Sequence, residues 1–157
     1  MVKSSFFTEN SMVQMVVVLT LFLSVSLSTS ASEPVPLILN FEGIKNSNGH
    51  IIISVYKNEA DFKAEKPYML KTFSKQNVQN GSLRASLNLP EGTYGIAVLD
   101  DENKDKEMNY TMLGMPKEGF GFANYYHSGF SYPKFSDFSF RHQKASKQTA
   151  VVKLRYM

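Results

Sequence analysis

A chain of 157 residues with a net charge of +3 and no cysteine is long enough for one self-supporting core. The missing cysteines exclude a disulfide-stapled scaffold and a lipid anchor on an N-terminal cysteine. The small positive charge forms no basic stripe, so we expect no nucleic-acid partner.

Residues 1–32 predict a secretory signal peptide. Lys3 lies in a short polar start, the apolar run MVQMVVVLTLFLSVSLS follows, and small residues precede Glu33. A single membrane anchor is the alternative, but the run is shorter than the roughly 20 residues of a spanning helix. We therefore expect an exported protein, periplasmic or extracellular, with one domain over residues 33–157 and no transmembrane segment after removal of the leader.

Seven segments of the remaining chain predict β-strands, five of them from alternating apolar side chains or β-branched content. In chain order these five are VPLILNFEG, IIISVYK, GSLRASLNL, TYGIAVLD and QTAVVKLRYM, and the two shorter ones are MLKTFSK and FSFRH. Asn48-Gly49 predicts a hairpin between the first two strands. NEADFKAE predicts one helical turn capped by Asn58, with Phe62 packing inward. The pattern indicates an all-β domain, an antiparallel sandwich of about seven strands or a small barrel.

Residues 100–137 form one long predicted loop, and loops of this length are usually functional or packed on themselves. Nine aromatic residues lie between Phe120 and Phe140, which argues against disorder. One interpretation is a binding face for an envelope protein or a glycan, with Tyr125, Tyr126 and Tyr132 as contacts. The other is a cover over one end of the sandwich, with the phenylalanines in the core.

The start of this loop has the spacing of a calcium-binding loop. Asp101, Asn103 and Asp105 alternate as Asp-x-Asn-x-Asp, and Asn109 follows at a further ligand position. Lys106 stands where such loops need glycine, and Met112 stands at the closing acid, so Glu118 or Asp100 would have to close the site. The alternative is a capped corner, a polar turn in which these side chains accept hydrogen bonds from backbone amides. No other cofactor is predicted.

The residue inventory does not favour an enzyme. A hydrolase needs a nucleophile, a base and an orienting acid within reach, and the three histidines, His50, His127 and His142, are scattered along the chain. Copper(I) binding by Met108, Met112, Met115 and His127 is a further alternative, although methionine more often fills a core.

The segment LPEGTYGIAVLDDENKDKEMNYTMLGMPKEGFGFANYY resembles the signature of domain-of-unknown-function family 2141 (DUF2141), a family of exported bacterial proteins. The likeness extends over about residues 37–156. It implies a transthyretin-like or immunoglobulin-like β-sandwich and no established activity. The departures lie mostly in the acidic loop, where Asp100 replaces a histidine, Asp105 an asparagine, Lys106 a glycine and Asn109 an aspartate; Ala123 replaces a serine.

Taken together, these features predict an exported, non-catalytic β-sandwich that uses the 100–137 loop as a binding or envelope-associated module. The alternative is a structural domain whose loop is stabilised by weakly bound calcium, and a small hydrolase is the least favoured prediction.

Overall fold

A computed structural model describes residues 33–144 and 148–157, so the predicted leader lies outside the described residues. The described residues form eight strands and two short helices. In chain order these are β1 (Val35–Glu42), β2 (His50–Tyr56), α1 (Glu59–Lys63), β3 (Met69–Ser74), β4 (Leu83–Leu89), β5 (Gly92–Asp101), β6 (Gly119–Phe122), α2 (Phe135–Phe138), β7 (Ser139–His142) and β8 (Gln148–Lys153). In the part of the chain that is described, neither helix has the length and apolarity needed to cross a bilayer.

The strands form two sheets, which confirms the all-β, sandwich-like prediction. One sheet has the order β4-β1-β8; the other has the order β3-β2-β5-β6, and β7 pairs with the same strand, β5. All pairings are antiparallel except that of β1 with β8, which is parallel. These are the first and last strands of the described residues, so no short hairpin has to join them.

The period-two alternation correctly identifies the core faces. Leu37, Leu39 and Phe41 of β1 are fully buried, and Ile96 and Val98 of β5 pack into the same apolar cluster. Residues on one face of a strand recur at every second position, so a single alternating pattern places them all toward the opposite sheet.

The predicted helical turn is also confirmed, as α1. The Asn58 side chain accepts a hydrogen bond from the Asp61 N–H at 2.9 Å, which caps the helix, and Phe62 is buried. An N-cap of this kind satisfies one of the backbone donors that the first turn of a helix leaves without a partner.

The predicted hairpin at Asn48-Gly49 is wrong. The preceding strand β1 pairs with β4 and β8, whereas β2 pairs with β3 and β5, so this turn carries the chain from one sheet to the other. Gly49 has a φ of +77°, and a Cβ there would lie 1.9 Å from the carbonyl oxygen of Asp101. The glycine is therefore required by the close approach of the turn to the end of β5.

Strand β6 was missed by the sequence analysis, which assigned its residues to the long loop. It pairs with β5, and its Phe120 exchanges two backbone hydrogen bonds with Arg155 at 2.9 and 2.7 Å. A Cβ on Gly119 would lie 2.4 Å from the Tyr156 ring, so a glycine allows this contact. The last segment of the chain thus joins the two sheets, and β8 ends at Lys153, earlier than predicted.

The part of the long loop that follows β6 packs on the outer face of the five-stranded sheet, rather than over one end of the sandwich. A second apolar cluster forms there from Tyr56, Phe62, Phe122 and Phe138. Most phenylalanines of the segment are buried or half-buried, as the covering interpretation predicts, but Phe130 is exposed.

Candidate functional site

The acidic loop joins two paired strands, and their register determines which side chains meet. Strand β5 ends at Asp101, β6 begins at Gly119, and Asp100 pairs with Gly119. The next residue on each strand is Asp101 on one side and Glu118 on the other. Because residues of antiparallel neighbours lie opposite each other, Glu118 lies beside Asp101, although the two are 17 positions apart in sequence.

Asp101 organises the first turn of the loop from a buried position. Its carboxylate oxygens accept hydrogen bonds from the N–H groups of Lys104 at 2.7 Å and Lys106 at 3.2 Å. Both lysines have a φ of +67°. Lys106 therefore adopts the left-handed conformation that glycine usually supplies at this position, so the missing glycine does not prevent the turn.

Asp105 lies at the centre of a polar network on the outer side of the loop. Its carboxylate accepts hydrogen bonds from the Glu107 N–H at 2.9 Å and from the side-chain amides of Asn103 at 2.8 Å and Asn109 at 2.9 Å. These donors, with the Glu107 N–H the largest, lower the pKa of Asp105. Asn103 and Asn109 thus surround the acid with their nitrogens toward it, as the capped-corner interpretation predicts.

Glu118 is the exception in this network. It is only 7% exposed, and its Oε2 accepts one long hydrogen bond from the Asn109 N–H at 3.4 Å. Its Oε1 is buried and has no hydrogen-bond partner among the described residues. Burial raises the pKa of Glu118, and the charges of Asp105 and Asp101 raise it further, whereas the N–H groups of Asn109 and Glu102 act in the opposite direction.

Carboxylate oxygens of Asp101, Asp105 and Glu118 lie within 4.8 Å of one another. Glu118 is therefore in a position to close the site, and Asp100, the other residue considered for that role, is not part of the group. Of the five predicted metal-site residues, three have converging carboxylates, and Asn103 and Asn109 lie beside them.

Asp100 belongs to a separate, fully buried cluster. Its Oδ1 lies 2.5 Å from Lys75 Nζ, and its Oδ2 accepts a hydrogen bond from the Tyr156 hydroxyl at 2.5 Å. Burial and this bond to Asp100 raise the pKa of Tyr156. No sequence pattern identifies Lys75 or Tyr156 as partners of Asp100. The one available signal is that Asp100 stands where the resemblance has a histidine.

The predicted binding face is only partly open to solvent. Tyr126 is 49% exposed and Tyr132 is 60% exposed, although one face of the Tyr132 ring stacks on Phe62 with a centroid distance of 4.9 Å. Tyr125 is half-buried, and its hydroxyl lies 3.3 Å from Nδ1 of His127.

The three histidines lie in different parts of the fold. His50 begins β2, His127 packs its ring against Phe122, and His142 is buried with Nδ1 3.0 Å from the Gln148 side chain. Met112, considered for copper, is fully exposed.

Two residues of the resemblance, Tyr94 and Asn124, have structural roles. The Tyr94 hydroxyl donates to the Pro90 carbonyl at 3.1 Å, which fixes the corner between β4 and β5. Asn124 has a φ of +57°, and its Oδ1 accepts a hydrogen bond from the Val151 N–H at 3.0 Å. The motif residues at both points therefore hold the sandwich together.

The fold defines a two-sheet, all-β sandwich with an acidic loop between two paired strands. The sequence model of the family described as "Uncharacterized protein conserved in bacteria (DUF2141)" matches residues 39–150, and the chain belongs to this family. Neither the curated proteins nor the solved structures contain a match to the chain.

Proposed function

We propose that the chain is an exported, non-catalytic binding module of the bacterial envelope, in which the sheets form a scaffold and residues 100–137 provide the contact surface. Export is inferred from the leader-like pattern of residues 1–32. The surface faces the periplasm or the cell exterior, and its partner is an envelope protein or a glycan.

The observation that carries the proposal is the distribution of exposed apolar side chains. Ten large apolar residues of the described chain are exposed, and six of them lie between residues 110 and 132. These six are Tyr110, Met112, Leu113, Tyr126, Phe130 and Tyr132. Their concentration in one segment supports the proposal, because contiguous exposed apolar patches are typical of interaction surfaces, whereas scattered exposed apolar residues are not.

One cationic side chain holds part of this aromatic surface in place. Arg155 donates hydrogen bonds to the carbonyls of His127 at 2.8 Å and Gly129 at 2.7 Å, and its guanidinium lies 5.8 Å from the centre of the exposed Phe130 ring. These contacts fix the segment to the end of the chain. Binding would therefore cost little conformational entropy at its aromatic side chains.

The test is co-sedimentation of the purified protein with isolated peptidoglycan and with envelope membranes. Tyr126→Ala and Tyr132→Ala, alone and together, are compared with Tyr68→Ala, since Tyr68 is an exposed tyrosine outside the segment. We expect the double substitution to abolish binding and the control to retain it. Equal binding by all variants, with unchanged melting temperatures, would show that this face is not the contact surface.

A further inference from the structure

The three converging acids place negative charges together without a compensating positive charge. Within the described residues, the ion pairs are Lys63 with Glu59 and Lys75 with Asp100, so Asp101, Asp105 and Glu118 have no cationic side chain as partner. Asp101 and Glu118 are also buried, where repulsion between like charges is less screened than at the surface.

A second observation, separate from the clustering of the acids, also indicates a ligand: the environment of the Glu118 carboxylate. A buried carboxylate oxygen without a partner costs free energy, and native structures contain few such groups without an ion or a water beside them. Glu118 Oε1 is such an atom, and the carboxylate to which it belongs lies against those of Asp101 and Asp105.

We propose that Asp101, Asp105 and Glu118 bind one calcium ion. Calcium lies about 2.3–2.6 Å from its oxygen ligands, so oxygens on opposite sides of it are about 4.6–5.2 Å apart. The observed limit of 4.8 Å lets all three carboxylates contact a single ion. The proposal concerns a site of its own and does not depend on the envelope partner proposed above.

The chemistry of the donors selects the metal. The group consists of carboxylates, with no histidine or cysteine nitrogen or sulfur in it, which favours a hard cation over zinc or copper. Asn103 and Asn109 lie next to Asp105, and rotation of each amide by half a turn would present its oxygen instead of its nitrogen. Calcium accepts six to eight oxygens in irregular geometry, whereas magnesium requires a near-ideal octahedron.

The ion would also close the base of a small hairpin. Residues 109–117 fold back on themselves through the bonds from Lys117 N–H to the Asn109 carbonyl at 2.9 Å and from Thr111 N–H to the Met115 carbonyl at 2.8 Å. Met112 and Leu113 lie at the exposed tip. Because Glu118 follows the hairpin and Asp105 precedes it, a shared calcium ion would join its two ends.

The purified protein is dialysed against EDTA and then titrated with CaCl₂ in an isothermal titration calorimeter. We expect one site with a dissociation constant of about 10⁻⁴–10⁻³ M, the range of extracellular calcium modules. Glu118→Gln should weaken calcium binding at least about tenfold, because the site loses one of its three charges. Glu107→Gln, which removes an exposed charge from the same loop outside the group, should bind like the unmodified protein.

A second variant and a second readout guard against loss of folding. Asp105→Asn changes an exposed ligand and should also weaken binding, and calcium should slow trypsin cleavage after Lys104 and Lys106. The proposal is overturned by absence of binding at 10⁻² M CaCl₂, about tenfold above the weakest expected constant, or by unchanged affinity in both Glu118→Gln and Asp105→Asn. Tighter binding of MgCl₂ than of CaCl₂ would overturn the assignment to calcium.

Discussion

Two adjacent acids at the end of β5 have opposite electrostatic environments. Asp100 is fully buried, and the chain supplies it with a buried lysine, Lys75, and a hydroxyl donor, Tyr156. Asp101 faces the loop, where it lies beside Asp105 and Glu118 without any cationic side chain among the described residues. The first cluster is complete within the chain, whereas the second is the proposed calcium site.

This difference separates a structural cluster from a candidate binding site. Burial of a charge is tolerated when a partner of opposite charge and hydrogen bonds compensate the lost hydration. Asp100 meets both conditions, whereas Glu118 has no cationic partner among the described residues and its Oε1 has no hydrogen-bond partner there. Changes to the two clusters should therefore affect stability in different directions.

The largest effect is expected from Lys75→Met. This change leaves the Asp100 carboxylate buried without a cation and should lower the free energy of unfolding by about 3–5 kcal/mol. Urea unfolding at pH 7 measures the loss, with Lys71→Met, at an exposed lysine of β3, as the control. Adding Asp100→Asn to Lys75→Met should restore part of the stability. A loss of less than about 1 kcal/mol in the single variant would contradict the buried ion pair.

A smaller effect is expected from Tyr156→Phe, which removes the hydroxyl that donates to Asp100. A hydrogen bond to a charged group contributes about 1.5–3 kcal/mol, and the free energy of unfolding should fall by this amount. Tyr110→Phe, at an exposed tyrosine, should change stability by less than about 0.5 kcal/mol. If the two variants are equally stable, the hydrogen bond from Tyr156 to Asp100 contributes little to the free energy of unfolding.

The pH dependence of Tyr156→Phe gives a second check. Burial and the bond to Asp100 raise the pKa of Tyr156, so its stabilising contribution is present below the ordinary pKa of tyrosine, about 10, and is lost as the pH rises above it. The stability difference between the protein and the variant should therefore shrink in alkaline solution. A difference that is constant with pH would show that the hydroxyl does not interact with the buried acid.

The smallest effect, and the one of opposite sign, is expected from Glu118→Gln in EDTA. Because burial and neighbouring acids raise the pKa of Glu118, its ionised form destabilises the folded chain at neutral pH. Removing the charge should increase the free energy of unfolding, as measured with urea, while Glu107→Gln leaves it almost unchanged. A clear decrease would instead indicate that the Glu118 carboxylate is a structural acceptor, as in the capped-corner interpretation.

Much of the scaffold can be predicted from local patterns. The alternation in β1 identifies Leu37, Leu39 and Phe41 as core residues, and Asn58 marks the start of α1. Both signals depend only on neighbours in sequence. The partners of the strands depend on tertiary packing. Asn48-Gly49 therefore has the composition of a hairpin turn but connects different sheets.

The candidate site can be predicted only in part, because its local spacing is visible in the sequence but its tertiary contacts are not. The Asp-x-Asn-x-Asp spacing marks Asp101 and Asp105, but the closing acid depends on the pairing of Asp100 with Gly119. That pairing involves β6, whose Gly-Phe-Gly-Phe sequence has low strand propensity and is held by backbone bonds to β5 and Arg155. Lys75 could not be connected with Asp100 across 25 residues without the fold.

The most direct measurement is a crystal structure of the protein grown in calcium chloride. The account predicts one strong density peak with oxygens of Asp101, Asp105 and Glu118 about 2.3–2.6 Å away, and Glu118 Oε1 among its ligands. It would be contradicted by a structure in which Glu118 Oε1 accepts a hydrogen bond from a water molecule or a backbone amide and the space between the three carboxylates holds no ion.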